Sequence, residues 1–440
     1  MEHFDTIVIG GGVLGCFAAR NLCRWNLSVL LLEAEGDVCT GITRANSAIV
    51  YAGYDMKPGT RKAEMTVRAN AGFDLLCREL DVPFARRGSL MVSFGPRGEK
   101  SLQKKLENGL KSQVPGLRLL TGDEARQLEP MLSPAVTAAL YAPSTGTVNP
   151  WELGIAAHEN ATENGCQSRM NTRVTAITKV SDGYQVKTNQ GEVHCRAIVN
   201  CAGLEADTVQ NLLFSGETAI CMDGTDYLVM NPQIQAPTHI IFQEAETGKG
   251  ITAIPCVEGN LLLESPARPL TEPFATTREG MECILLETSL LLPQLDTTAV
   301  IRSFGAVRPN PQRGDVSSLH DFCIEQLAPD FISFIGIKTP GLTCANELGM
   351  YAAEVLAQAL KAVPNLDFDP IRRISSTRDD QIICQCRNIT RGDVLQAIRR
   401  GATTLDGVKH RAGTGMGPCQ GSRCAWEIEK LLEEYSHGTL

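Results

Sequence analysis

Residues 5–35 constrain this chain more tightly than any other stretch. Residues 5–9 form a β-branched run, residues 10–12 a glycine turn, and residues 13–25 carry Val13, Phe17 and Leu22 at helical spacing. Residues 28–32 are a second, continuous apolar run of the kind buried in parallel sheets. Inside that strand–turn–helix–strand frame, Gly10-x-Gly12-x-x-Gly15 has a mechanical reading. Gly10 permits the tight turn, Gly12 lets a pyrophosphate approach the backbone, and Gly15 lets the helix pack close to the strand. The helix N-terminus then turns free N–H groups toward the phosphates. Glu33 ends the second strand, where a carboxylate can accept hydrogen bonds from the adenosine ribose hydroxyls and repel a 2′-phosphate. The unit predicts a Rossmann-like dinucleotide site. By itself it does not choose between FAD and NAD.

At 440 residues the chain is too long for one ordinary core, so two or three domains are expected. Helices are expected at about 60–80, 99–113, 122–128 and 151–165, the last capped by Asn149 with Pro150 in its first turn. Residues 168–200 alternate as strands around Ser181-Asp182-Gly183, and residues 219–310 hold several strand-like runs that predict an antiparallel layer. A strand at 331–337 and a helix at 347–362 follow. Residues 364–380 are polar and charged and are expected to be a linker. The net charge of −9 argues against nucleic acid as a partner. No apolar run reaches the length of a transmembrane helix. The first strand begins too early to leave room for a signal peptide. Most of the 16 cysteines lie in apolar segments as small buried hydrophobes, which fits a reducing, cytoplasmic setting.

Several further segments carry a family resemblance: Thr43-Arg44-Ala45-Asn46-Ser47 leading into Ala52-Gly53-Tyr54-Asp55, Leu140-Tyr141-Ala142-Pro143, Val199-Asn200-Cys201-Ala202-Gly203, Gly305-Ala306-Val307-Arg308-Pro309, and residues 336–343. Through residues 5–360 the chain resembles the FAD-dependent oxidoreductases related to D-amino-acid oxidase, in the branch of glycerol-3-phosphate dehydrogenase and 2-hydroxyglutarate oxidase. The resemblance implies an α/β fold with FAD as cofactor. FAD-binding parts would lie at about 1–75, 150–210 and 300–363, and an antiparallel-sheet substrate domain at about 76–149 and 211–299. It implies that Thr43, Arg44, Asn46 and Ser47 line the flavin and its phosphates. Val174 would meet the adenine, Ala202 and Gly203 the pyrophosphate region, and Gly341, Leu342 and Thr343 the flavin ring. Arg308 would bind the anionic group of a small substrate, a task suited to its rigid fork of donors, with Lys338 adding charge. Two positions depart from the family. Tyr51 stands where a histidine is usual, and a tyrosine is a poor base near neutral pH. Met222-Asp223-Gly224 replaces a basic stretch. These departures leave an amino-acid or imino-acid substrate open, and also a relay role with substrate oxidised on a partner chain.

The last 60 residues hold Cys384-x-Cys386 and Cys419-x4-Cys424, with helices expected at 391–400 and 426–435. Four thiolates suit zinc or an iron–sulfur cluster, although C-x-C is tight for zinc. Residues 383–387 and 415–424 together resemble the bacterioferritin-associated-ferredoxin-like [2Fe-2S] domain. That resemblance implies a small helical domain at 381–440 with Cys384, Cys386, Cys419 and Cys424 as ligands, following the oxidoreductase at 1–363. A cluster accepts one electron at a time, and no second Gly-x-Gly-x-x-Gly is present. The expected acceptor is therefore a redox partner protein, either a second flavoprotein or a quinone-linked subunit. Peripheral membrane association stays open.

Overall fold

A computed structural model describes residues 2–245, 248–270, 272–314, 320–375 and 377–438. The strand Glu2–Ile9 lies at the centre of the first sheet, parallel to Val29–Leu32 on one side and to Gly191–Asn200 on the other. The strand order is Val174–Val180, Gly183–Thr188, Gly191–Asn200, Glu2–Ile9, Val29–Leu32, Gln167–Arg169, and Phe331–Ile335 adds to Gly191–Asn200 in parallel. The helix Val13–Leu22 stops three residues short of the expected end. The N–H groups of Arg24 and Trp25 close a turn on the carbonyls of Asn21 and Leu22, and the chain then doubles back to reach Val29. The helices Pro150–Glu163 and Gly341–Leu360 pack on it. Gly349 allows that approach, since a Cβ there would sit 2.7 Å from the backbone of Phe17.

The second sheet is antiparallel except for one pair, Ile240–Ala245 running parallel to Ser89–Ser93. Two parts of it differ from the sequence reading. The stretch read as strands contains the helix Arg278–Leu291, started by Thr277, whose hydroxyl accepts the Gly280 N–H at 3.2 Å. The strand Val300–Arg313, expected with the FAD-binding parts, instead pairs along its length with Thr218–Met230. Its partner is remote in sequence, and neither strand carries a periodic signal that would announce the pairing. The register sets Arg308 opposite Asp223, while Tyr227 faces Glu264 on the neighbouring strand Leu261–Glu264.

The C-terminal unit has its own apolar core of Ile383, Val394, Leu395, Ile398, Val408, Ile428 and Leu431. Its helices are Arg391–Arg399, Leu405–Ala412 and Ala425–Ser436. The middle one was not expected. It is short and carries Gly407, a poor helix former, and it is started by the Thr404 side chain, which accepts the Gly407 N–H.

The first half of the expected linker is fixed in place. Asn365 donates to the Cys23 carbonyl at 3.0 Å. The fully buried Arg372 donates to Glu152 at 2.6 Å, Glu159 at 2.7 Å and the Leu80 carbonyl at 2.9 Å. Arg400 of the C-terminal unit grips the same two carboxylates at 2.5 and 3.0 Å. Arg411 forks onto Asp37 at 2.6 and 2.8 Å, and His410 stacks on Trp151 with ring centres 4.8 Å apart. A charged stretch read as a linker is thus held in part by ion pairs. Removing one member of a buried pair costs about 3 kcal/mol or more. Arg372→Met is therefore expected to lower the denaturation midpoint in urea clearly. Arg373→Met, at a side chain 78% exposed, should leave the midpoint in place.

Candidate active site and cluster site

A cavity of about 590 Å³ opens at the C-terminal ends of the parallel strands. It is lined by Gly10, Gly12, Glu33, Thr43, Arg44, Asn46, Ser47, Val174, Ala202, Gly203, Gly341 and Leu342, so most residues named from sequence share one wall. The glycines divide the labour. Gly10 has φ +99°, and a Cβ at Gly15 would lie 1.9 Å from the Gly10 carbonyl oxygen, so both serve the turn itself. A Cβ at Gly12 would meet only the Thr43 hydroxyl, at 3.5 Å, which leaves space for a ligand. Thr43 accepts the N–H of Val13, and Asn46 braces the loop by donating to the Thr43 carbonyl at 2.7 Å. Glu33 accepts the N–H groups of Gly11 and Glu35 at 2.5 and 2.8 Å, and burial holds its carboxyl above the ordinary range. Each carboxylate oxygen keeps a lone pair for a ribose hydroxyl.

Two expectations shift at the flavin end. The helix begins at Gly341 rather than near Glu347, so residues 341–343 are its first turn; the Gly341 N–H donates to the Lys338 carbonyl at 2.7 Å, and Gly341 and Leu342 border the cavity directly. A proline followed by glycine gave no sequence sign of a helix start. Thr343 does not line the cavity: it is 1% exposed, and its hydroxyl accepts the Tyr51 N–H at 3.1 Å. It therefore positions Tyr51, because the first helical turn points it back at the neighbouring strand.

A second chamber of about 630 Å³ adjoins the first, and Tyr51, Arg308, Lys338 and Thr339 border both. The structure adds a residue that motif reading missed. Glu264, whose side chain is only 2% exposed, pairs with Arg308 at 2.5 Å. Burial disfavours the Arg308 charge, but Glu264, Tyr227 and Tyr51 outweigh it and fix the guanidinium as a cation. Burial, reinforced by Glu264, pushes the Tyr51 phenol well above its ordinary value. Tyr51 thus stays a hydrogen-bond donor and cannot replace a histidine base. Lys338 donates to Asn310 at 2.5 Å, and Asn310 donates to Asp223 at 2.7 Å. The continuous apolar run Leu261–Leu263, ending in Glu264, would have marked Glu264 as a buried charge worth examining. Its pairing with Arg308 depends on strand order that the sequence does not display.

The four C-terminal cysteines gather as pairs. The Cys386 and Cys419 sulfurs are 3.4 Å apart, and Cys384 lies close enough to the Cys424 thiol to raise it above its ordinary value. Two pairs suit a binuclear cluster with cysteine ligands on each iron. Glycine also clears the space: a Cβ at Gly417 would meet the Cys386 Cβ at 2.4 Å, and Gly415 and Gly421 hold φ +71° and +86°. Burial opposes ionisation of Cys419, but hydrogen bonds from Cys386 and from the Gly421 and Arg423 N–H groups draw its thiol below the ordinary value. These residues fit the group.

The family model described as "FAD dependent oxidoreductase" matches residues 5–355. The chain belongs to the FAD-dependent oxidoreductases. A second model, "BFD-like [2Fe-2S] binding domain", matches residues 382–434. This FAD-dependent oxidoreductase is 37% identical to a glycerol 3-phosphate dehydrogenase of Caloramator mitchellensis, over 98% of this chain and 94% of that one. It is 30% identical to the human mitochondrial L-2-hydroxyglutarate dehydrogenase over 53% of each chain. Its fold matches the dithionite-reduced L-alpha-glycerophosphate oxidase of Mycoplasma pneumoniae, solved with FAD bound, with TM-score 0.79 and 25% identity, covering 84% of this chain and 98% of that one. The oxidoreductase therefore uses FAD and carries a [2Fe-2S] domain. None of its described helices is long and apolar enough to cross a membrane.

Proposed function

We propose that this oxidoreductase is a dehydrogenase of a small anionic hydroxy compound, glycerol 3-phosphate first and a 2-hydroxy acid such as 2-hydroxyglutarate second. FAD, when bound, supplies the electron acceptor for the substrate, and the [2Fe-2S] cluster supplies the one-electron outlet. The observation that carries the reading is the junction of the two cavities, where Arg308 and Lys338 offer positive charge beside the flavin end. The relative that spans nearly the whole chain is named for glycerol 3-phosphate. In this reading residues 1–363 are the oxidoreductase and 381–440 the cluster domain. Electrons leave to a partner protein in the cytoplasm, either a second flavoprotein or a quinone-linked subunit.

Anaerobic bleaching of the flavin against glycerol 3-phosphate, 2-hydroxy acids and amino acids tests this. No bleaching with any of them would sink it in favour of a relay subunit. A charge-assisted contact contributes about 2 kcal/mol or more, which is roughly 30-fold in rate. Arg308→Ala should therefore lower kcat/KM by at least that factor while flavin content stays constant. Arg308→Lys should recover only part of the loss, because an ammonium cannot make the forked contact. One observation favours an amino-acid or imino-acid substrate as the second reading: Glu264 lines the first cavity and Asp223 the second, so two carboxylates flank the junction at Arg308. Bleaching by an amino acid at micromolar concentration, with none by glycerol 3-phosphate, would select it.

A further inference from the structure

The chamber beyond Arg308 is lined by more cations than the family motif accounts for, Lys57, Lys62 and Lys105 among them, and some are already matched to carboxylates. Lys105 pairs with Asp55 at 3.0 Å and Glu244 at 3.4 Å. Arg308 gives one edge of its guanidinium to Glu264. Lys338 is engaged with Asn310 and senses Asp223. Lys62 stands apart. It sits in the first turn of the helix Arg61–Leu80, is 7% exposed, and lines the chamber. Among the described residues its ammonium makes no hydrogen bond and no ion pair. Its recorded contact is with the face of Phe322, 5.2 Å from the ring centre.

We propose that Lys62 completes the anion site, so that the substrate's phosphate or carboxylate is held between Lys62 on one side and Lys338 and Arg308 on the other. This deepens the proposed function and rests on it for the identity of the substrate. The physical argument is that a buried ammonium without a counter-ion is costly unless something supplies one. Asp321 attracts it without pairing with it: its carboxylate oxygens accept the backbone N–H groups of Arg61 and Lys62, at 3.0 and 2.7 Å. Among the described residues the other charged or titratable groups around Lys62 form no ion pair with it either. Cys344 is a thiol held up by burial and bonded to Thr66, Glu347 is paired with Arg68, and His320 is at the chamber wall. The strongest electrostatic neighbour is Lys338, a like charge. Burial and that repulsion bring the Lys62 ammonium down to about 8, against the weaker pull of Asp321. Cations that weaken one another in an empty chamber are relieved by an anion placed between them.

The sign of the pH effect follows. The protonated form binds the anion, so kcat/KM is full below about pH 8 and falls as pH rises through that value in the free enzyme. Holoenzyme carrying Lys62→Gln should bind inorganic phosphate roughly 30-fold or more weakly by calorimetric titration, with flavin content unchanged. Its KM for glycerol 3-phosphate should rise by a similar factor while kcat changes little. Lys62→Arg should keep near-normal KM at pH 7 and lose the decline near pH 8, because a guanidinium stays charged. Should the Gln variant fail to fold, the Arg variant's pH profile still decides. Phosphate binding and KM both indifferent to Lys62→Gln would overturn the proposal and leave the proposed function standing. A fall in kcat at constant KM would also overturn it, since that marks a proton-transfer role. Phosphate binding that depends on Lys62 in an enzyme that no hydroxy compound bleaches would uphold the anion site and remove the assigned reaction.

Discussion

Gly12→Val is expected to give a folded protein that has lost its FAD and kept its cluster. The backbone at Gly12 is extended, with φ −66° and ψ 172°, so a branched side chain meets no conformational obstacle there. Its Cβ would enter open space, with only the Thr43 hydroxyl at 3.5 Å. The added methyl groups would occupy the room left for the pyrophosphate beside the N-terminus of Val13–Leu22. Displacing a diphosphate loses several charge-assisted hydrogen bonds of about 1.5–3 kcal/mol each, so affinity should fall by at least on the order of 100-fold. The flavin absorption bands should vanish from the purified variant while iron and acid-labile sulfide remain. Full flavin occupancy would remove this turn from the site. Gly15→Ala is the contrasting case. Its Cβ would strike the Gly10 carbonyl oxygen, so insoluble or unfolded protein is expected.

Cys419→Ser should give the opposite phenotype. Iron and sulfide should fall to background while FAD and substrate-dependent bleaching persist, and transfer to any one-electron acceptor protein should collapse. Cys419 lies beside Cys386 in a unit whose apolar core is its own and none of whose residues lines the nucleotide cavity. A serine hydroxyl is far harder to ionise than a thiol and is a harder, weaker ligand for iron. Because a bound cluster also stabilises a small domain, the variant's C-terminal helices should become more sensitive to protease. Zinc at one per chain in anaerobically prepared wild type, without iron, would refute the cluster assignment.

What the sequence disclosed, and what it hid, divides along physical lines. The nucleotide turn was legible because three glycines and Glu33 answer to local constraints: a positive φ, a close helix–strand contact, a strand end. Thr43, Asn46 and Ser47 were found through family likeness rather than periodicity, and they line the cavity. Glu264 was missed because its meaning lies in a lateral neighbour, Arg308, which reaches it only through the order of strands in the second sheet. Lys62 was missed for a related reason. A lysine in the first turn of an amphipathic helix reads as solvent-facing, and only the packing of Phe322 and the chamber wall buries it. Arg372 read as part of a linker and Arg400 as the end of a helix, and only the fold sets Glu152 and Glu159 between them.

That shared clamp on Glu152 and Glu159 bears on how the protein behaves when diluted. The face between the two units is held in part by Arg372, Arg400, Arg411 and the Trp151–His410 stack, and as a bimolecular contact it would depend on concentration. A covalent connection turns that contact into an intramolecular one, at an effective concentration on the order of millimolar. Turnover per mole through the cluster should then stay constant on dilution and tolerate salt. Nicking the backbone at 377–380 would restore second-order behaviour. Activity toward the cluster's acceptor should then fall with both dilution and ionic strength, while bleaching of the flavin by substrate stays untouched.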